Sequence, residues 1–293
     1  MALQVMFDIF SGRPNPAIVL DGGDAAELLK RLQSAAKLGP EDVISPFESS
    51  LGYRGLVIEQ TGPSPNAALP TRFRVVDGKL FAPNMAYRIA DASIEDFVLG
   101  AANSAKSGAL PSDLAALIRE EAALRRTTKF AQPSAAALTG APVKCPCAPL
   151  YEPGWWNDGG QKQLHNNCYN YACDYRTDTF AQPGRAGGTH MTALSCPGVK
   201  PAALSDALLD YPQRVITCPG EGCLVALVIW PRWDFHWYRM GRDGSWSHKP
   251  GNTPVTNVDN SGLPISDPRT ANRGRYADFC SLMIAMHGHI KIS

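Results

Sequence analysis

The chain opens with short alternating segments. Residues 3–10 alternate well enough for a strand, Ser11-Gly12-Arg13-Pro14-Asn15-Pro16 reads as a turn, and residues 17–20 read as the returning strand. Asp24 and Glu27 are spaced like a capping box, ahead of Leu28, Leu29 and Leu32 on one helical face. Another strand is expected over residues 53–60. Residues 71–76 and 79–82 flank Asp77-Gly78, a hairpin signal. Helical spacing returns at 94–102 and 112–126, the latter with Leu114, Leu117, Ile118 and Leu124 spaced for burial. The first 131 residues therefore predict a small α+β module with an accessory, packing or targeting role.

Residues 132–154 are rich in Pro, Ala and Gly, as linkers are, and include Cys145-Pro146-Cys147. A second domain is expected over 155–293. It has a helix that starts near Cys168 and runs to Arg176, a Pro/Gly-rich stretch to about residue 201 and a short helix at 204–209. Residues 224–230 form an apolar run suited to a central strand. A hairpin follows, then a polar, turn-rich segment at 249–274 and a closing helix or strand at 276–286.

Composition sharpens this. The 293 residues are 44% apolar and 19% charged, which is globular, and 26 glycines with 24 prolines argue against an all-helical fold. A net charge of +1 leaves no footprint for nucleic acid. The apolar run at 224–230 is far too short to span a bilayer. The first residues meet Asp8 and Arg13 at once and lack the pattern of a secretory signal, so a cytoplasmic location or a leaderless export route is expected. The cysteine content points towards an extracytoplasmic destination. All 8 cysteines, 6 histidines and 6 tryptophans lie at or beyond Cys145. Thiol or imidazole chemistry therefore belongs to the second domain.

Within it, Asp234-Phe235-His236-Trp237-Tyr238-Arg239 and Ser245-Trp246-Ser247-His248 flank the turn signal Gly241-Arg242-Asp243-Gly244. A hairpin centred on Arg242 would set His236 opposite His248 and Tyr238 opposite Trp246, on one sheet face. One imidazole would then orient the other, as a catalytic base requires. Cys168, at a helix start, would feel the positive end of the helix dipole, which favours thiolate. Cys168, His236 and His248 form a candidate nucleophile, base and orienter. Asp234, Asn257 and Asp259 are alternatives for the third place.

Nucleophile, strand histidine and a second histidine twelve residues on resemble the NlpC-like cell-wall cysteine peptidases of the papain-like superfamily, over roughly residues 155–255. The resemblance implies a cysteine-bearing helix packed on an antiparallel sheet. It also implies amide hydrolysis through a thioacyl intermediate, on short or peptidoglycan-type peptides, without a cofactor. This chain has Asn167-Cys168-Tyr169 where the family usually has an Asp-Cys pair followed by a small residue. By the same resemblance Gln163 is a candidate oxyanion donor, with Asn166, Asn167 and Gln161 as further amides. Trp155, Trp156, Tyr169, Tyr238 and Trp246 are candidates to line a substrate groove.

Other readings stand beside this one. The same constellation can perform acyl transfer or glutamine deamidation, as a toxin-like effector would. The cysteines also fit a non-enzymatic module held by zinc or disulfides. Cys145-x-Cys147 and the Cys218–Cys223 segment have near-zinc spacing, with His165, His190, His287 and His289 available. With Cys168 set aside, seven cysteines fit three bridges and one free thiol, Cys218–Cys223 being an easy local pair.

Overall fold

A computed structural model describes residues 2–32, 36–37, 50–62, 65–82, 85–89, 91, 93–104, 110–127 and 143–293. Residues 132–142 of the expected linker lie outside the described residues. The chain divides into two compact units. One comprises Met1–Ile9, Asn15–Phe47 and Tyr53–Lys129; the other comprises Phe10–Pro14, Glu48–Gly52 and Phe130–Ser293. Both helices and antiparallel sheets are present, so the fold is α+β.

In the first unit the described strands form one antiparallel sheet. β1 (Ala2–Phe7) pairs with β2 (Ala17–Asp21) and with β4 (Leu56–Thr61). The sheet continues through β5 (Arg72–Val76), β6 (Lys79–Ala82) and β7 (Met85–Arg88) to β3 (Ala36–Lys37). The alternation in β1 buries Leu3, Val5 and Phe7 and turns Gln4 outward. α1 (Gly22–Leu32) starts two residues before Asp24, so Asp24 lies in the first turn instead of capping it, and Glu27 pairs with Arg31. α2 (Ile94–Ser104) and α3 (Ser112–Thr127) complete the unit. Buried Asp8 holds Arg54 and Arg74 at 2.5 and 2.7 Å. Burial alone would raise its carboxyl, but the two guanidiniums outweigh it and hold Asp8 at about 2.

The second unit is built on a five-stranded antiparallel sheet. β9 (Cys223–Trp230) is central and buried on both faces, as its unbroken apolar run requires. β10 (Asp234–Met240) and β11 (Trp246–His248) lie to one side; β12 (Asp278–Ala285) and β8 (Leu209–Tyr211) lie to the other. The closing segment is thus a strand. The helix expected at 204–209 is displaced: α7 spans Cys196–Ser205, and residues 209–211 pair with β12. α4 (Pro153–Trp156), α5 (Gln161–His165) and α6 (Cys168–Ala172) precede the sheet, and α6 packs on β10. Phe10–Pro14 belongs to this unit as a strap, and Leu51 exchanges two hydrogen bonds with Asn260.

Two disulfides brace this unit, Cys145–Cys218 and Cys196–Cys280. The expected local pair Cys218–Cys223 does not form, because β9 carries Cys223 into the core. With Cys168 set aside, instead of three bridges and one free thiol there are two bridges and three thiols, Cys147, Cys173 and Cys223. Among the described residues no helix is long and apolar enough to cross a membrane.

Candidate active site

Asn167 places Cys168 at the start of α6. Its side-chain oxygen accepts the N–H groups of Tyr169 and Asn170, while Asn170 returns the bond to the Asn167 N–H, a reciprocal capping box. The two amide hydrogens of Asn167 go to the Gly12 and Ala181 carbonyls, each at 2.7 Å. Asn167 is therefore committed to structure and has no hydrogen to offer an oxyanion. α6 ends after five residues, with Cys173 as its C-cap and Asp174 at φ +49°, well short of Arg176.

So short a helix carries only a fraction of the macrodipole, and burial decides the thiol. Burial pushes Cys168 well above the ordinary thiol range, and the Asp234 charge pushes the same way. The Trp237 N–H and the Lys249 ammonium pull against this without offsetting it. The expected lowering of the thiol is thereby reversed.

The hairpin forms with a different register. Tyr238 lies opposite His248, Arg239 opposite Ser247 and Met240 opposite Trp246, so facing numbers sum to 486 instead of 484. The turn is centred on Asp243: Gly244 donates to the Gly241 carbonyl and adopts φ +83°, closing a three-residue loop. A slip of two residues preserves side-chain parity. His236 and His248 therefore share a face as diagonal neighbours, with His236 Nε2 2.8 Å from His248 Nδ1.

A directed proton chain follows from the partners. His248 Nε2 lies 3.0 Å from the Val258 carbonyl, which only accepts, so that nitrogen carries the hydrogen. In neutral His248, Nδ1 then accepts from His236 Nε2–H. That leaves His236 Nδ1 to accept from the Ser11 hydroxyl at 2.5 Å. The Ser11 oxygen in turn receives the Gly251 N–H at 3.2 Å, while the Cys168 thiol donates to the Phe235 carbonyl at 4.0 Å. The order is hydroxyl, imidazole, imidazole, carbonyl. Cys168, Ser11, His236 and His248 are all buried at 0% exposure.

Asp234 supports the strap. It accepts the backbone N–H groups of Ser11, Gly12 and Arg13 and the Tyr276 hydroxyl. These donors are neutral, and burial outweighs them, so its carboxyl is raised above the ordinary range. Lys249 Nζ donates to the Gln163 and Gly251 carbonyls. The Gln163 side chain itself turns its oxygen to the Gly159 N–H. Among the described hydrogen bonds none brings its amide to Cys168.

The residues expected to line a groove are core. Trp156 packs on Tyr171 and Val255. Tyr169 donates to Asp206 and lies against Trp237; Tyr238 stacks on His248; Trp246 is buried. Large aromatic surface is buried here because each ring faces another ring or the sheet. Trp155 alone of the five is exposed, with Lys162 over its ring. Sequence reasoning missed Ser11, Tyr276, Gly251 and Val258. Ser11 stands 225 positions from His236 in a segment whose only local signal is a turn. The cysteine motif Cys145-x-Cys147 joins Cys218, the three sulfurs lying within 4.8 Å of one another.

Fold and geometry together define an α+β protein with a buried Ser–His–His chain and a sealed Cys168 in its second unit. The chain is 47% identical over 135 residues to insoluble matrix shell protein 1 of Ruditapes philippinarum, covering 45% of this chain and 87% of that protein, and it belongs to the same family. No family model and no solved structure matches.

Proposed function

We propose that the second unit is a papain-like, cysteine-dependent amide hydrolase held closed by its strap. The observation carrying this reading is the directed chain from the Ser11 hydroxyl to His236, with His248 fixing the imidazole at 2.8 Å, in the same unit as the buried Cys168 at the start of α6. The thiol proton passes through the Ser11 hydroxyl to His236 Nδ1 as sulfur attacks the amide carbonyl. The imidazolium returns that proton to the leaving amine, and water resolves the thioacyl group. Cys168 is the nucleophile, His236 the base and acid, and His248 a positioning residue. Asp234, outside the proton path, anchors the strap. By resemblance the substrate class is a short or cell-wall-type peptide. Because every member is buried, the strap Phe10–Pro14 must be displaced before a peptide can reach the sulfur.

The test is peptide cleavage by purified protein, read as new amine termini, with ammonia release and amine incorporation run in parallel to separate deamidation and acyl transfer. Cys168→Ala is expected to lose activity on the order of 10⁴-fold or more while melting near wild type. His248→Ala is expected to lower kcat more than it changes KM. Full activity in Cys168→Ala rejects the reading.

The family supports a second reading, a structural component of an insoluble matrix. If Cys168→Ala and His236→Ala partition into the insoluble fraction as the unaltered protein does, and neither the unaltered protein nor Gly12→Ala cleaves any peptide, this reading replaces the first.

A further inference from the structure

Away from the buried network, a second group of sulfurs lies at the surface. Cys145-Pro146-Cys147-Ala148 is a tight turn: Ala148 donates to the Cys145 carbonyl at 2.9 Å, and Pro146 occupies the position where its fixed φ suits a turn. The turn is clamped by Cys145 N–H to the Arg242 carbonyl at 2.9 Å and by Arg242 N–H to the Pro149 carbonyl at 3.0 Å. Cys145 is bonded to Cys218 and fully buried, whereas Cys147 is a free, exposed thiol. Its sulfur stands 3.3 Å from Cys218 Sγ and 3.4 Å from Cys145 Sγ. A rigid turn thus holds a free thiol in contact with both sulfurs of a disulfide.

We infer that Cys145, Cys147 and Cys218 form a thiol–disulfide exchange site, with peptide and small-molecule thiols as its substrates. The Cys147 thiolate attacks Cys218 Sγ. The Cys147–Cys218 bond forms, the Cys145–Cys218 bond breaks, and the Cys145 sulfur leaves with the electron pair and takes up the proton Cys147 gave. No oxidant or reductant is consumed. The bridge moves from a pair with one sealed sulfur to a pair with one exposed sulfur. There an external thiol can attack Cys147 Sγ, releasing the Cys218 thiolate and leaving the substrate joined to Cys147. Other free thiols are unsuited to this step. Burial pushes Cys223 up to about 12 and Cys173 well above the thiol range.

Disulfide mapping of the full-length protein tests the inference. Samples are held at mildly alkaline pH, acid-quenched, alkylated and sequenced by mass spectrometry, with and without reduced glutathione. The expected result is two populations, Cys218 bridged to Cys145 and Cys218 bridged to Cys147, with glutathione appearing on Cys147. Cys145→Ser is expected to show a Cys147–Cys218 bridge and to melt within a few degrees of wild type. Cys147→Ser is expected to show only Cys145–Cys218 and to exchange with glutathione at least tenfold more slowly. Cys218 bridged solely to Cys145 at every pH overturns the inference in the wild-type protein alone, whether or not the variants fold. A reduced protein that takes up one zinc on these three sulfurs, with Cys218 unbridged in Cys145→Ser, overturns it in favour of a metal site.

Discussion

Two groups of thiols in one unit of the protein face opposite constraints. Cys168 sits at a capped helix start, beside a hydroxyl and two linked imidazoles, yet it is sealed and its thiol is held neutral. Cys147 has no such machinery, but it is exposed and touches both sulfurs of a disulfide. Neighbouring groups alone do not make a cysteine reactive; access and solvation of the charged form come first. At Cys168 the desolvation cost outweighs everything the network offers in the closed arrangement. At Cys147 a fixed distance replaces an elaborate site.

Native alkylation with iodoacetamide breaks or sharpens this contrast most. Cys147 is expected to react first. Cys168, Cys173 and Cys223 are expected to react slower by on the order of 10³-fold or more, since each needs an opening that costs several kcal/mol. Comparable rates at Cys147 and Cys168 would remove the contrast.

The next effect tests what the bridge contributes beside the exposed thiol. Cys218→Ser removes a cross-link across a separation of 73 residues. In the chain-entropy view that costs about 4 kcal/mol, measured by denaturant unfolding without reductant. Cys147→Ser, a change at an exposed position, is expected to stay within about 0.5 kcal/mol of wild type.

Alkaline pH separates the sealed thiols from the exposed one. Cys223 is raised from 9.0 to about 12, and Cys168 and Cys173 are raised as well. Their stabilising contribution is fully present below pH 9, where folded and unfolded thiols are both protonated. It is lost as pH rises towards the folded value, because only the unfolded chain releases the proton. The slope is about 1.4 kcal/mol per pH unit for each thiol. Unfolding midpoints at pH 8 and pH 10 check this, and Cys223→Ala should make the decline shallower.

The smallest expected change in thiol reactivity acts on the strap. A methyl group at Gly12 would collide with the Phe235 ring and carbonyl. Gly12→Ala should cost about 1–3 kcal/mol and speed Cys168 alkylation severalfold or more. Unchanged alkylation with lowered stability would mean that the strap is not what seals the sulfur.

Much of the local structure was legible in the sequence. The Asp77-Gly78 hairpin, the helices at 94–104 and 112–127 and the central β9 strand follow from periodicity and turn chemistry. The histidine pair was legible for a subtler reason: centring the turn on Arg242 instead of Asp243 misplaces the register by two, and parity keeps both rings on one face. Boundaries set by long-range contacts were not legible. Residues 209–211 become a strand because β12 offers them an edge, and α6 stops at five residues although its sequence continues without a proline or glycine to Arg176.

By itself, then, the sequence determined the α+β character, the alternating faces of the strands and the confinement of thiol and imidazole chemistry to residues after Lys144. Those are properties of neighbours within a few positions, where backbone sterics and side-chain period act. Tertiary structure alone decided that Ser11 reaches His236, that Cys145 pairs with Cys218 and that Cys168 is sealed. These contacts join residues 225, 73 and 67 positions apart. Whether a thiol is charged depends on solvent exclusion and on the charges around it, which chain folding assembles and no local pattern encodes.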